Sequence, residues 1–264
     1  MKKLRNFVSL VVISLFLFGC AKDDTMPYQG DSPEYIYAIG HNFLKDHSYS
    51  KAIEAFRSLN AQYPFEKYSK LGMLEMIYAY YQKSDEAMAQ AIAKQYIKLY
   101  PNSDNVGYAY YMLGVVNFNN GRGFLQKYLP YDMSKHDTQN YKKAFDDFDK
   151  AIALDPTASF VPDARRRMIY LVNVIAQYEL NIAEYYYRKG AYVATVNRAQ
   201  KIIQHYPNSE QVEQALVIAA KSYKNLMLPT QAAETMEVLK ANFPKNPYLT
   251  ELEKAQQKSS VMIN

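Results

Sequence analysis

The sequence is poor in the residues that form covalent cross-links and tight turns. Its 264 residues include 1 cysteine, no tryptophan, 9 glycines and 11 prolines. A single cysteine excludes an intrachain disulfide and a metal site built from several thiolates. Because glycine and proline supply most tight turns, their scarcity argues against an all-β protein and favours helices. Tyrosine is abundant instead, at 26 residues, and each buried hydroxyl will need a hydrogen-bond partner.

The lone cysteine follows a segment typical of secreted bacterial proteins. Three basic residues precede an uncharged, mostly apolar run from Phe7 to Phe18, which at 12 residues is too short to cross a bilayer. We therefore predict a signal peptide over residues 1–19, with Cys20 directly after it. Its removal lowers the formal net charge from +5 to +2, which leaves little electrostatic argument for nucleic-acid binding.

The junction Leu17-Phe18-Gly19-Cys20 resembles the bacterial lipobox, although Phe18 is bulkier than the residue usually found there. The resemblance implies cleavage before Cys20, a thioether-linked diacylglycerol and a fatty-acyl (palmitate-type) chain on the new amino group. More than one acyl chain suffices for stable membrane anchoring. Ala21 stands where Asp favours inner-membrane retention in enterobacteria, so the implied destination is the periplasmic face of the outer membrane.

Beyond a polar, lipidated tether at residues 20–33, proline recurs at the spacing of a helical repeat. Pro64 and Pro101 are 37 residues apart, as are Pro207 and Pro244. A period in the thirties that is punctuated by proline predicts an array of helix pairs.

The tetratricopeptide consensus fits three of these pairs closely. It is matched by Ile36, Gly40, Phe43, Ala52 and Phe56 in the first repeat, by Tyr110, Gly114, Ala144 and Phe148 in the third, and by Leu216, Ala220, Tyr223, Ala232 and Leu239 in the last. Small residues let two helices approach and aromatic rings fill the remaining gap. We predict an all-α fold, a superhelix of about five helix-turn-helix tetratricopeptide repeats.

Two irregularities depart from the repeat. The step from Asn117 to Ala144 is about 18 residues longer than its counterpart in the first repeat, which predicts an insertion. A helix is also predicted from Pro162 to Lys189, ended by Gly190, and it is too long for a standard repeat helix.

No pattern in the sequence indicates catalysis. The four histidines are scattered, the one cysteine is predicted to be lipidated, and no nucleophile or phosphate-loop motif occurs. We expect no enzymatic activity, no cofactor and no metal. The clustered acids Asp146, Asp147 and Asp149 are interpreted as a solvated helix face.

Two tyrosine runs indicate surfaces for recognition. Tyr78, Tyr80 and Tyr81 form one run and residues 185–187 the other. Because the three tyrosines of a run spread over roughly 160–200° of arc on a helix, we expect at least one tyrosine of each run to be exposed.

Residues 182–198, which read Ile-Ala-Glu-Tyr-Tyr-Tyr-Arg-Lys-Gly-Ala-Tyr-Val-Ala-Thr-Val-Asn-Arg, resemble the BamD family. So do Glu54-Ala55-Phe56 and Tyr63-Pro64-Phe65. This family is the tetratricopeptide lipoprotein of the outer-membrane β-barrel assembly machine. The resemblance covers residues 20–244, whereas the tail at 245–264 matches poorly.

The resemblance implies two duties for the folded part. Repeats 4 and 5, residues 157–244, would dock a POTRA domain of the barrel-forming subunit through Tyr185, Lys189 and Arg198. A guanidinium can clamp a partner carboxylate bidentately, which a lysine cannot do. The alternative is that Arg198 pairs within its own repeat.

Repeats 1 to 3, residues 34–156, would receive the aromatic-ended terminal strand of unfolded barrel proteins, with other assembly lipoproteins as further partners. The candidate substrate contacts are Tyr63, Phe65, Tyr68 and Tyr81.

Two other functions stay open at this point. A pilotin-like lipoprotein that anchors a pilus or secretion complex would share the lipobox and the repeats, but it does not explain the insertion or the Val-Asn-Arg string. A periplasmic hydrolase is disfavoured because no nucleophile or metal set is visible.

Overall fold

The computed structural model describes residues 27–119, 134 and 138–251. Within these residues the regular structure is helical and contains no strand, which confirms the predicted all-α class. No helix in this part of the chain is both long enough and apolar enough to cross a membrane. The predicted signal peptide, Cys20 and most of the insertion lie outside the described residues, as does the tail beyond 251.

Each principal helix is 13 to 16 residues long except one. In chain order they are α1 Pro33–Lys45, α2 Tyr49–Gln62, α3 Lys67–Gln82, α4 Glu86–Leu99, α5 Val106–Asn119, α6 Gln139–Leu154, α7 Val161–Arg188, α8 Tyr192–His205, α9 Val212–Asn225 and α10 Pro229–Asn242.

The chain divides into two compact units, of which the first ends at Lys83 and the second begins at Ser84. In the first unit, α1, α2 and α3 all pack against one another. In the second unit each helix from α4 to α10 packs against the next one, and α7 also contacts α9. Packing between neighbours in sequence is the arrangement of a repeat array, in which one pair buries its apolar face against the next.

Glycines and aromatic rings form the helix contacts that the repeat consensus predicts. A Cβ atom added at Gly40 would lie 2.5 Å from Cε1 of Phe56, and one at Gly114 would lie 2.7 Å from Cδ1 of Phe148. Both rings are fully buried. No side chain larger than hydrogen fits at either glycine without displacing the ring, so these contacts set the helix spacing in repeats 1 and 3.

The turns between paired helices share one backbone feature. His47, Ser84, Gly190 and Met227 have φ values of +56°, +57°, +73° and +57°. Each lies two residues after one helix and two residues before the next. Only Gly190 adopts this left-handed conformation without a steric cost, because the other three carry a Cβ atom.

The long helix is confirmed, one residue earlier than predicted. α7 spans Val161–Arg188, 28 residues. Near its start, the Asp163 carboxylate accepts hydrogen bonds from Arg167 Nε at 2.6 Å and from the Tyr111 hydroxyl at 2.9 Å. The hydrogen bond from Tyr111 therefore ties the start of α7 to α5, and the helix ends at the left-handed turn of Gly190.

Candidate functional site

A buried carboxylate organises the charges between α7 and α8. The side chain of Glu179, on α7, is 1% exposed. Arg198 on α8 donates from Nη1 to Glu179 Oε2 at 2.7 Å. Lys201, one turn further along α8, donates from Nζ to Glu179 Oε1 at 2.5 Å. One buried acid thus holds two cations on the same helix.

This arrangement keeps Glu179 ionised. Burial acts to raise the pKa of its carboxyl, but the hydrogen bonds from Lys201 and Arg198 outweigh burial and hold the pKa below its usual value. The neighbouring hydroxyl of Tyr206 shows the reverse effect, because burial and then the charge of Glu179 raise its pKa.

Arg198 therefore forms an ion pair within its own repeat, which was the alternative to a free docking residue. The side chain nevertheless remains 36% exposed. The pair uses one N–H of the guanidinium, and a guanidinium has five. Internal pairing and contact with a partner are thus compatible, and the docking role of Arg198 stays a prediction.

The other two predicted docking residues lie together. Tyr185 is 51% exposed, and Lys189 Nζ lies 5.9 Å from the centroid of its ring. Within the described residues, no hydrogen bond, ion pair or ring contact joins either one to Arg198. Tyr185 follows Glu179 by six residues, which places it roughly 120° away around α7. The expected exposure of one tyrosine in this run is confirmed.

Two of the predicted substrate contacts are packed inside the first unit. Tyr63 and Tyr68 lie against the cluster around Leu59. The Tyr63 hydroxyl donates to the carbonyl of Asp31 at 2.8 Å, which ties the chain before α1 to the end of α2. The Tyr68 ring lies 5.5 Å from that of Tyr37. Both side chains therefore support the fold, whatever else they contact.

Phe65 is the exposed member of the predicted set, at 76% in the turn between α2 and α3. Tyr81 is half-buried. The expectation of an exposed tyrosine in the run that contains Tyr81 is wrong, since Tyr80 is 4% exposed and Tyr78 is half-buried. The physical reason is that α3 packs against both α1 and α2, so two sides of this helix are covered.

Sequence reasoning did not single out Glu179 and wrongly interpreted Asp147 as part of a solvated helix face. Glu179 lies four residues after Ile175 and four before Ala183, both buried, so an acid on an apolar helix face was the available signal. Asp147, interpreted as solvated, is half-buried and accepts a 2.6 Å hydrogen bond from Asn117 Nδ2. Its burial raises the pKa of the Asp147 carboxyl to about 6.

A second carboxylate lies between α1 and α3. Glu75 Oε1 accepts a hydrogen bond from the Tyr37 hydroxyl at 2.7 Å and lies 2.8 Å from His41 Nδ1. Among the described residues, no three His, Cys, Asp or Glu side chains come close enough to hold a metal ion. The clusters around Glu179 and Glu75 are hydrogen-bonded contacts that join neighbouring helices.

Comparison with known proteins identifies a family. The family described as YfiO, outer membrane lipoprotein, matches residues 29–239. "Outer membrane protein assembly factor BamD" of Neisseria gonorrhoeae is 34% identical over 95% of this chain and 94% of its own length. The protein of the same name from Vibrio cholerae is 31% identical over 91% of this chain and 99% of its length.

Solved structures give a weaker likeness. One match is the TPR2AB domain of yeast Sti1 in a pHSP90 complex, with a TM-score of 0.45 and 14% sequence identity. The match spans 80% of this chain and 78% of the Sti1 chain. A score at that level supports no argument about function.

Proposed function

Because the chain belongs to the BamD family of outer-membrane lipoproteins, we propose that it is a scaffold of the machinery that assembles β-barrel proteins in the outer membrane. The observation that carries the proposal is the family match across residues 29–239. Stacked helix pairs suit this role, since a repeat array presents an extended surface to several partners. The role requires no catalytic step, cofactor or metal.

Membrane attachment is assigned to Cys20. Acylation there would hold the folded repeats at the periplasmic face of the outer membrane through the tether at 20–33. The test is metabolic labelling with palmitate of wild type and of Cys20→Ala. Label in the wild type and none in the variant supports the anchor, whereas an unlabelled wild type contradicts it.

Docking of the barrel-forming subunit is assigned to residues 157–244, through Arg198 and the pair formed by Tyr185 and Lys189. The exposed sides of these residues support the assignment. A POTRA-bearing partner would offer a carboxylate to the guanidinium, whose planar geometry suits bidentate contact.

Capture of unfolded substrates is assigned to residues 34–156. Phe65 is the contact that the geometry favours, because its side chain is 76% exposed. Tyr63 and Tyr68 would act by holding the α2–α3 turn in place, with Tyr81 as a half-buried neighbour on α3. An exposed phenyl ring suits the aromatic-rich end of a barrel strand.

The decisive experiment is a membrane pull-down of the tagged full-length protein, with mass spectrometry of what co-purifies. A POTRA-bearing barrel protein and further assembly lipoproteins are the expected partners. Arg198→Glu should reduce their recovery, with Lys240→Glu at an exposed residue of α10 as the control for charge reversal. Because Arg198→Glu also breaks the pair with buried Glu179, Arg198→Lys is the second variant: it keeps a cation beside Glu179 and should reduce recovery while helical content and the unfolding midpoint stay constant. Recovery of pilus or secretion components instead would overturn the proposal.

A further inference from the structure

We infer that a groove between α2 and α3 binds the acidic end of this chain's own tether, residues 23–26, through Arg57 and Lys83. The groove belongs to the first unit and has a volume of about 530 Å³. Residues 23–26 lie outside the described residues, which begin at Pro27. The inference goes beyond the proposed function, because it concerns how the tether meets the first repeat, whichever partners the protein serves.

The groove follows α2 over about two turns. Between the lining residues Ser50 and Ser58, the helix rises about 12 Å. α2 packs against α3 and is joined to it by a short turn, so the two helices run antiparallel. Lys83, directly after α3, therefore lines the Ser50 end of the groove, whereas Arg57 lies nearer the Ser58 end.

The described chain starts at one end of this groove. Pro27 lines the groove, and its carbonyl accepts a hydrogen bond from the Ser58 hydroxyl. Gln62 Nε2 donates to the carbonyl of Tyr28 at 3.3 Å, which ties the next residue to α2 as well. Because consecutive Cα atoms are about 3.8 Å apart, the residues just before Pro27 start at the groove.

The groove holds polar groups that lack partners within the described residues. Tyr80 lines it and is 4% exposed, yet its hydroxyl forms no hydrogen bond there. Arg57 and Lys83 are exposed and form no ion pair with any described residue. The Arg57 guanidinium instead lies 5.8 Å from the centroid of the Tyr80 ring. A buried hydroxyl without a partner is costly, so these groups indicate a polar ligand.

Residues 23–26 match the groove in length and in charge. Four extended residues span about 13 Å, against about 12 Å for the stretch of α2 that lines the groove. The charged groups of the lining are Arg57, Lys83 and Glu54, which together leave a net charge of +1. Residues 22–24 read Lys-Asp-Asp and carry a net charge of −1. The segment and the groove are therefore complementary.

The two acids of the segment can meet cations on both walls of the groove. Successive side chains of an extended segment point to opposite sides. Arg57 and Lys83 belong to different walls, the first to α2 and the second to the end of α3. Asp24, the acid nearer the described chain, is assigned to Arg57. Asp23 is assigned to Lys83 at the far end. A backbone carbonyl of the segment would accept a hydrogen bond from the Tyr80 hydroxyl.

Covalent attachment favours the tether over a separate peptide of the same charge. A segment joined directly to the rim of its site has an effective concentration on the order of millimolar. Seating the segment also shortens the anchor. A free tether from Cys20 to Pro27 extends to about 25 Å, whereas only about 10 Å separates Cys20 from a seated Asp23. If Cys20 is acylated as proposed, the first unit is then held close to the membrane.

The test is hydrogen–deuterium exchange of the full-length protein in detergent, followed at the backbone amides of residues 24–26. In the wild type these amides should exchange at least tenfold more slowly than in a free peptide of the same sequence. Arg57→Glu and Lys83→Glu should each bring exchange close to the peptide rate, because they place a negative charge beside the two acids. Lys45→Glu, at an exposed residue of α1, is the matched charge reversal outside the groove and should keep the protection.

Two further variants separate a direct contact from a structural effect. Asp24→Lys combined with Arg57→Glu reverses the ion pair and should regain most of the protection that each single change loses. Tyr80→Phe should speed exchange severalfold at an unchanged unfolding midpoint, because it removes a hydroxyl that is bonded only to the segment. If Arg57→Glu does not fold, Lys83→Glu and Asp24→Lys still test the groove.

Three results would overturn the inference. The first is exchange of residues 24–26 at the peptide rate in the wild type. The second is equal protection in the wild type and in Arg57→Glu, which would show that something other than the groove holds the tether. The third uses a synthetic peptide with the terminal-strand sequence of a barrel protein. Binding that Arg57→Glu abolishes, with the tether amides unprotected, would assign the groove to a substrate. None of these results depends on which proteins co-purify from the membrane, so the proposed function stands or fails separately.

Discussion

Two helix interfaces of this protein are held together by different kinds of contact, one apolar and one charged. Between α1 and α2, the backbone of Gly40 lies directly against the ring of Phe56, an apolar contact. Between α7 and α8, the carboxylate of Glu179 is buried against two cations. The first interface gains stability from close packing. The second recovers in ion pairing much of what it loses by desolvating a charge.

The difference shows how a repeat array acquires a site. An apolar interface can be copied from one repeat to the next without creating anything at the surface. A buried acid must be paired, and here its partners reach the surface with their outer sides exposed. The polar interface contributes less to stability per contact, but it fixes where two charges are presented.

The largest expected effect is at the apolar interface. Phe56→Ala removes a fully buried ring and should lower the free energy of unfolding by about 3–5 kcal/mol, since a cavity remains. Chemical denaturation followed by circular dichroism measures it. Phe65→Ala, at a ring that is 76% exposed, is the matched control and should change stability little. Equal effects at both positions would contradict the packing assignment.

Breaking the charged interface should cost somewhat less. Glu179→Gln weakens two charge-assisted hydrogen bonds and should destabilise by about 2–3 kcal/mol. Replacing all three charges, as in Glu179→Leu with Arg198→Met and Lys201→Leu, should restore most of that stability, because no charge is then left buried without a partner. A triple variant less stable than Glu179→Gln would show that the ion pairs are strongly stabilising.

Glu179 and Asp147, two acids of the second unit whose pKa values are shifted, should respond to pH in opposite directions. The folded-state pKa of Glu179 is lowered, so its stabilisation is present above the unfolded pKa near 4.5 and is lost as pH falls through the folded value. The pKa of Asp147 is raised from 3.8 to about 6, so its contribution is complete below 3.8 and is lost as pH rises through 6.

Asp147→Asn tests the raised pKa of the Asp147 carboxyl and its effect on stability. The variant should be more stable than wild type by about 1–2 kcal/mol at pH 7.5, where ionised Asp147 is held in a partly buried place. The advantage should shrink between pH 7 and pH 5 as the wild-type acid takes up its proton. Denaturation curves at several pH values measure it. An advantage that is independent of pH would contradict the raised pKa.

The smallest expected change in stability is at the turns that connect the paired helices of the two interfaces. Gly190, between α7 and α8, has φ +73°, and His47, between α1 and α2, has φ +56°. Gly190→Ala should cost about 1 kcal/mol, because it introduces a Cβ atom in the left-handed region. His47→Ala should be nearly neutral, since both residues carry a Cβ. Thermal unfolding of the two variants side by side measures the difference.

Much of the fold was predictable because local patterns carry it. Proline spacing indicated the repeats, Gly40 with Phe56 and Gly114 with Phe148 followed the consensus contacts, and Gly190 marked the end of α7 to within a residue. The site was less predictable. Tyr63 and Tyr68 had the composition of a recognition surface but pack internally, since a tyrosine suits either place.

The sequence by itself determined the class of protein: helix pairs of fixed period, a lone cysteine in a lipobox-like motif, and the family to which both belong. These features depend on residues that are near one another in the chain. Tertiary structure alone decided that Glu179 lies between Arg198 and Lys201, that Tyr80 is buried, and that Phe65 is exposed. Such contacts join residues about 20 positions apart or more, and their register is set by how whole helices pack rather than by any local pattern.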